Sequence, residues 1–288
     1  MSSPRIAIAT CDRHDREMVD DELLRTALTE RGCEAWQVVW DEEAGWSEFD
    51  LCLVRSTWDY HEKYEGFLAW ARHVEEVSSL QNPADLIAWN SEKTYLRELA
   101  EAGVPTVPTL WVDRGADVDL DGLLRGEGWG EAVVKPVVDL GARNLRRVRA
   151  GEGTGALPSV LRRGAAMVQP FLPALEAEGE LSLIYIDGKP THAVRKRAAA
   201  GDFRVQSIWG GTAEPAEPGD AEVNLAELAL AQLDQTPLYA RVDIVTGPDG
   251  ARLLIELELI EPNLYLTQHP PAAGALAEAA LLRVDVNA

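Results

Sequence analysis

The sequence predicts an α/β unit, an open parallel sheet over residues 1–82, followed by an α+β region over residues 83–288. Three observations predict this. Strand-length apolar runs alternate with helical periods through the first 82 residues, the pattern of a parallel sheet covered on both faces. Asn82-Pro83 then punctuates the chain. Beyond it, two pairs of apolar runs flank turns containing Asp-Gly, which signal antiparallel hairpins. At 288 residues, with 46% hydrophobic and 26% charged residues, the chain has room for about two domains and the composition of a globular protein. A disordered chain, a fibre and a coiled coil are excluded.

Residues 5–10, RIAIAT, form an apolar run of strand length. Residues 17–31 carry Leu24, Ala27 and Leu28 on one helical face, and Gly32 is placed to end that helix. Residues 35–40 and 50–54 read as two more strands. From Glu62 onward, Phe67, Trp70, Ala71, Val74 and Val77 hold a helical period. After the break, Asn90 is expected to cap a helix with Tyr95, Leu96 and Leu99 on one face, stopped by Gly103-Val104-Pro105. A strand over 109–112, a polar stretch to Gly130 and an apolar run over 132–136 follow, with 143–148 as that run's hairpin partner. Residues 165–171 form another apolar run. Asp187-Gly188 turns a hairpin between 181–186 and 191–196, and Pro248-Asp249-Gly250 turns one between 238–245 and 252–260. Residues 221–233 and 274–282 read as helices, and 174–180 and 213–222 as exposed loops.

Basic residues number 27 and acidic residues 48, so the formal charge is −21. Such a surface repels polyanions, so neither nucleic acid nor an anionic membrane is an expected partner. An anionic ligand must be met by a local basic pocket, which draws attention to the five lysines. No run of about 18 apolar residues suggests a membrane span, and MSSPRIAIAT lacks the features of a secretory signal. A cytoplasmic location is expected. Cys11, Cys33 and Cys52 show neither a disulfide framework nor zinc-ligand spacing and are expected in the core.

The second hairpin carries the most chemistry. Arg241 and Asp243 share a strand face, as do Glu256 and Glu258 on the next strand. Grouped carboxylates repel, and a hard divalent cation such as magnesium resolves that; a solvated sheet face with cross-strand Arg–Glu pairs accounts for the same residues. Lys135 ends an apolar run, where its charge needs a partner: a phosphate, or water reached by snorkelling. Arg204 precedes the pair Gly210-Gly211, which suits either an anion or a simple turn. Arg55-Ser56-Thr57-Trp58-Asp59-Tyr60 follows a strand of the first unit. Ligands of open α/β sheets bind at such ends, and a capped loop explains the residues equally well.

Taken in order, these segments resemble the ATP-grasp superfamily, in its glutathione-synthetase and RimK-like branch. The motifs are Asn90-Ser91-Glu92-Lys93, Ala132-Val133-Val134-Lys135-Pro136, Val168-Gln169-Pro170-Phe171-Leu172, Glu178-Gly179-Glu180-Leu181-Ser182, Arg204 through Gly211, and Arg241-x-Asp243 with Glu256-x-Glu258. The stretches 53–60, 182–196 and 256–262 are similar to the O-ureido-D-serine cyclo-ligase subgroup, and this similarity includes the first domain.

The resemblance implies an ATP-grasp fold: a pre-ATP-grasp substrate domain over 1–82 and an ATP-grasp domain over 83–288, with a mobile small subdomain near 106–166 and a catalytic subdomain near 167–288. It implies a C–N bond-forming, ADP-producing ligase that activates the carboxylate of a small amino-acid-like molecule as an acyl phosphate. ATP would be held by Lys93, Lys135, Gln169, Pro170, Phe171, Leu172 and Glu180. Two Mg2+ ions, with Mn2+ as a substitute, would sit on Asp243, Glu256 and Glu258. Arg241, Arg204 and Lys196 would be catalytic. Arg55, Ser56, Thr57, Asp59, Tyr60 and Glu261 would bind substrate. A homodimer is a further expectation. Glu258 departs from the family pattern, which has asparagine there. A non-catalytic nucleotide-binding module and a RimK-like ligase acting on a protein tail are the alternatives.

Overall fold

The computed structural model describes residues 3–12, 19–152 and 155–284. Four strands, β1 (Arg5–Thr10), β2 (Glu34–Val39), β3 (Leu51–Ser56) and β4 (Ser79–Gln81), form a parallel sheet in the order β2-β1-β3-β4. Helices α1 (Val19–Glu30) and α2 (Tyr64–Val77) belong to this part of the chain. The alternation in β1 explains the layering. Ile6 and Ile8 join Leu24 and Leu28 of α1 on one face, while Ala7 and Ala9 face Trp40, Phe67 and Trp70 on the other. Gly32, with φ of +84°, ends α1 in the left-handed conformation that costs glycine nothing. Of the expected helix 17–31, residues 17 and 18 lie outside the described residues.

Two short helices, α3 (Ala84–Ser91) and α4 (Tyr95–Glu101), lead into a four-stranded antiparallel sheet. Its strands are β5 (Leu110–Val112), β6 (Glu131–Pro136), β7 (Arg146–Arg149) and β8 (Ala166–Pro170), in the order β5-β8-β6-β7. Helices α5 (Leu120–Glu127) and α6 (Ala156–Leu161) cover it through Leu124, Leu157 and Val160. By its pairing, β8 belongs to this sheet, so the sheet runs past the expected subdomain limit at 166.

After a helical turn, α7 (Ala174–Ala177), comes a five-stranded antiparallel sheet. It contains β9 (Glu180–Ile186), β10 (Lys189–Arg197), β11 (Thr212–Ala216), β12 (Tyr239–Thr246) and β13 (Arg252–Glu258), in the order β11-β10-β9-β12-β13. Helix α8 (Asp220–Leu230) packs behind it, and α9 (Pro271–Val284) returns to the first domain, where Leu276 and Ala280 join Leu24 and Leu28. All three cysteines are buried. Among the described residues, no helix is long and apolar enough to cross a membrane.

Two expectations need correction. The stretches read as exposed loops contain α7, the buried start of β9 at Glu180, the edge strand β11 and the start of α8. Strand β11 takes its order from the backbone of β10, and an edge strand tolerates Pro215. Asn90 does not cap a helix but ends inside α3. Its amide donates to Leu257 O at 2.8 Å and accepts from Leu259 N at 2.8 Å, because the adjacent strand edge offers unpaired backbone groups.

Candidate active site

Strands β12 and β13 pair so that Arg241 stands opposite Glu258 and Asp243 opposite Glu256. Cross-strand neighbours share a face, so the carboxylates converge as the alternation predicts. Oxygens of Asp243, Glu256 and Glu258 all lie within 4.8 Å of one another. On the other side of Asp243, β9 supplies Ser182, whose hydroxyl donates to Oδ1 at 2.5 Å.

Cations offset this concentration of charge. Arg241 donates through Nε to Asp243 Oδ1 at 3.0 Å and through Nη2 to Oδ2 at 2.9 Å, and it also pairs with Glu258. Lys196 donates to Asp243 Oδ2 at 3.1 Å and pairs with Glu180, its cross-strand neighbour. Burial opposes the charge on Asp243, but Arg241 and Lys196 outweigh it and hold its carboxyl below the ordinary range. Burial is likewise outweighed at Glu256 by Lys93 and Lys135, and its pKa falls. At Glu258 burial, reinforced by Glu256 and Asp243, wins over Arg241, and its pKa rises. Three clustered oxygen donors with no sulfur or imidazole among them fit a hard divalent cation.

Three of the five lysines, Lys93, Lys135 and Lys196, line one cavity of about 200 Å³ that also contains Arg241, Glu256 and Glu258. Lys93 lies in the turn between α3 and α4 and pairs with Glu256. Lys135, on β6 and 7% exposed, has no hydrogen bond or ion pair among the described residues. Burial, with Lys93 adding to it, lowers its pKa.

A second, smaller cavity of about 70 Å³ adjoins the first, and Lys135, Ala142, Leu145, Gln206 and Ile255 line both. Its walls are largely apolar, from Val107, Val133, Leu172 and Phe203. Of the residues expected at adenine, Gln169, Pro170 and Leu172 line it. Phe171 instead packs edge-on against Phe203 at 5.9 Å, under the Arg147 guanidinium. Glu180 lines neither cavity and is taken up by Lys196. Arg204 lies at the smaller cavity, gripped by Asp202 at 2.6 Å and stacked on Trp209 at 3.5 Å.

The expected substrate segment divides. Tyr60 and Glu261 line the larger cavity. Burial, aided by Glu258, pushes the Glu261 carboxyl well above the ordinary range. Arg55, Ser56, Thr57 and Asp59 are buried away from the cavity. Ser56 donates to Asp21 at 2.5 Å, and Asp59 accepts from the Trp40 indole at 2.7 Å. Local sequence shows these polar groups together but not that distant residues claim them. Trp58, Asp139, Asn263 and Tyr265 line the cavity and were not expected there. For Asn263 the only signal was its place after Glu261-Pro262.

Comparison with known proteins decides the family. Residues 6–82 match the amino-terminal domain of D-cycloserine synthetase DcsG, and residues 125–263 match the ATP-grasp domain of prokaryotic glutathione synthetase. The cycloserine biosynthesis protein DcsG of Streptomyces lavendulae is 32% identical over 90% of both chains. The chain belongs to the ATP-grasp ligases, in the branch of DcsG and the glutathione synthetases. A glutathione synthetase of Prochlorococcus marinus is 33% identical over 69% of this chain and 63% of its own length. The crystal structure of D-cycloserine synthetase DcsG superposes with a TM-score of 0.89, at 28% identity, over 97% of this chain and 99% of that one. D-alanine–D-alanine ligase from Bacillus anthracis shares the fold, with a TM-score of 0.73 at 16% identity over 99% and 98% of the two chains. This ATP-grasp protein is an ATP-dependent carboxylate–amine ligase, an enzyme that forms a C–N bond.

Proposed function

We propose that this ATP-grasp enzyme is a cyclo-ligase of the D-cycloserine synthetase type, closing a small amino-acid-like molecule on itself. One observation carries the placement of ATP. Lys135, a buried ammonium with no carboxylate partner, stands where the apolar cavity opens into the carboxylate-lined one. A nucleotide with its base in the first and its phosphates in the second gives that charge its partner.

In this reading Gln169, Pro170 and Leu172 wall the base, and Lys93 and Lys135 hold phosphates. Asp243, Glu256 and Glu258 hold two Mg2+ ions, or Mn2+ in their place, which when bound neutralise phosphate charge. The substrate carboxylate oxygen attacks the γ-phosphorus, the bond to the β–γ bridging oxygen breaks, and ADP leaves. The nitrogen of the same substrate then attacks the acyl carbon, the carbon–oxygen bond to phosphate breaks, and the nitrogen loses a proton. Arg241 faces the negative charge that develops in both steps. Lys196 holds Asp243 in place. Glu261 receives the substrate's amino group, and Tyr60 bounds the space it occupies. Arg204, engaged by Asp202, lines the smaller cavity together with Lys135.

Support for the cyclo-ligase version comes from the first domain, matched over residues 6–82, which supplies Trp58 and Tyr60 to the cavity wall. The test is ADP release with ATP, Mg2+ and a panel of amino acids including O-ureido-D-serine, with products read by mass spectrometry. The expected result is release stimulated by O-ureido-D-serine, with a cyclic product. Stimulation only by two separate substrates, one carboxylate and one amine, would make the enzyme an intermolecular ligase. Stimulation by none would remove the reading of a small amino-acid-like substrate.

A further inference from the structure

The substrate side of the cavity is built on backbone that belongs to no helix or sheet. Residues 259–267 follow β13 as an irregular strap, and Ile260, Glu261, Asn263 and Tyr265 line the cavity from it. Buried irregular backbone must find hydrogen-bond partners outside the regular ladders. Here six consecutive carbonyls each meet a different side chain. Leu259 O accepts from Asn82 at 2.7 Å, and Ile260 O lies 3.0 Å from the Tyr239 hydroxyl, whose one proton is shared with Val54 O and Gln81 O. Glu261 O accepts from the Trp58 indole at 3.2 Å and Pro262 O from Arg55 Nη2 at 2.8 Å. Asn263 O accepts from Arg241 Nη1 at 3.2 Å, and Leu264 O lies 3.0 Å from His192 Nε2, which therefore carries the proton. Beyond them, Asp20 accepts from the amides of Leu266 and Thr267 at 3.0 and 3.1 Å.

Half of the six donors, Asn82, Trp58 and Arg55, come from the first 82 residues. Of these, Arg55 is the charged one, and its single hydrogen bond among the described residues goes to the strap. It is 3% exposed, its guanidinium lies 5.0 Å from the Tyr239 ring, and its Nε stands 3.6 Å from Asp21. It does not reach the cavity, yet it holds the carbonyl immediately after Glu261. We propose that Arg55 is a positioning residue for the amino-acid substrate, acting through the Pro262 carbonyl to aim the Glu261 and Asn263 side chains. The first domain thus sets substrate recognition from behind the wall, while the smaller, base-side cavity has no lining residue from it. This inference rests on the substrate placement under Proposed function.

The test compares wild-type enzyme with Arg55→Met, Arg55→Lys and Trp58→Phe, measuring kcat and separate KM values for O-ureido-D-serine and ATP. Removing a charged donor to one carbonyl predicts a rise of about tenfold or more in the O-ureido-D-serine KM of Arg55→Met, with the ATP KM within about twofold. Arg55→Lys keeps the charge beside Asp21 and recovers part of the loss. Trp58→Phe keeps a ring at the wall, loses one neutral donor, and shows the same split at about three- to fivefold. Should Arg55→Met fail to fold, Arg55→Lys, which keeps the charge but shortens the reach to Pro262 O, carries the test with a smaller rise in the same KM. Equal changes in both KM values, a fall in kcat alone, or no change would overturn the inference. A wild-type enzyme inert toward O-ureido-D-serine and the other amino acids is a different outcome: it removes the substrate placement under Proposed function.

Discussion

Half-buried Lys93 and buried Lys135 line the same cavity, but among the described residues only Lys93 forms an ion pair there, with Glu256. At Lys135 burial, with Lys93 adding to it, outweighs the longer-range pull of Glu256, Glu180 and Asp139, and its pKa falls. An unpaired buried ammonium destabilises the empty protein and is ready to receive an anion. Lys135→Met keeps most of the side chain's volume and removes the charge. The expected outcome is a thermal midpoint equal to or above that of wild type, loss of the upward shift that ATP produces, and at least a hundredfold fall in ADP release. Thermal unfolding with and without ATP checks all but the rate; a midpoint that falls by several degrees would mean that Lys135 has a stabilising partner.

Asn82 carries an unusual share of the join between the two domains. It is fully buried, donating to Tyr239 O at 3.0 Å and Leu259 O at 2.7 Å, and accepting from Leu238 N at 2.7 Å. Asn82→Ala strands three buried backbone groups at once. At about 1 kcal/mol or more for each unsatisfied group, the loss is about 3 kcal/mol or more. Urea unfolding should show a clearly lower midpoint, whereas a change under about 1 kcal/mol would show that the groups find other partners.

The legible parts of the sequence are those that depend on local periodicity. The alternation of β1, the hairpin turn after β12 and the shared face of Arg241 with Asp243 and Glu256 with Glu258 follow from spacing alone, and the register bears them out. Arg55 and Ser56 show what spacing does not hold. Their partners are Asp21, more than thirty positions earlier, and Pro262, 207 positions later, so only the folded chain reveals that they face inward. Arg204 is held by Asp202, a partner two residues off whose charge the sequence displays but whose geometry it does not. Helix α5 is hidden because Gly122 and Gly126 interrupt its eight residues, and β4 because three residues hold no period.

Acid should weaken the strap before it weakens the sheet. His192 bonds the Leu264 carbonyl as a neutral ring, stacked on His269 at 5.0 Å. Burial, with His269 adding to it, lowers its pKa to about 4 from the ordinary 6.5. The unfolded chain therefore takes up this proton first, between pH 6.5 and 4. The His192 contribution to stability is complete above pH 6.5, declines as pH falls through that window and levels off below about 4. Chemical unfolding of wild type and His192→Gln at pH 7.5, 6.0 and 5.0 should show a shallower decline in the variant. Parallel profiles would assign the acid sensitivity to other groups.

An acyl phosphate survives only if water is kept from it, and the segment between β6 and β7 is placed to do this. Leu140 packs against the apolar cluster that contains Tyr60 and Ile260, and residues 139–143 line the cavity. Within the segment Asn144 donates to Asp139 at 2.7 Å, and from outside it the Trp209 indole donates to Gly141 O at 2.8 Å. Trp209→Phe keeps a ring against Arg204 and removes that donor. Opening the cover exposes the reacting carboxylate to water more often than it disturbs ATP, which is held below by Lys93 and Lys135 in the proposed site. The variant should release ADP at a rate within a fewfold of wild type while forming less product for each ADP, because part of the acyl phosphate hydrolyses. Simultaneous measurement of ADP and product by mass spectrometry gives the ratio. A ratio unchanged from wild type would show that this contact does not guard the intermediate.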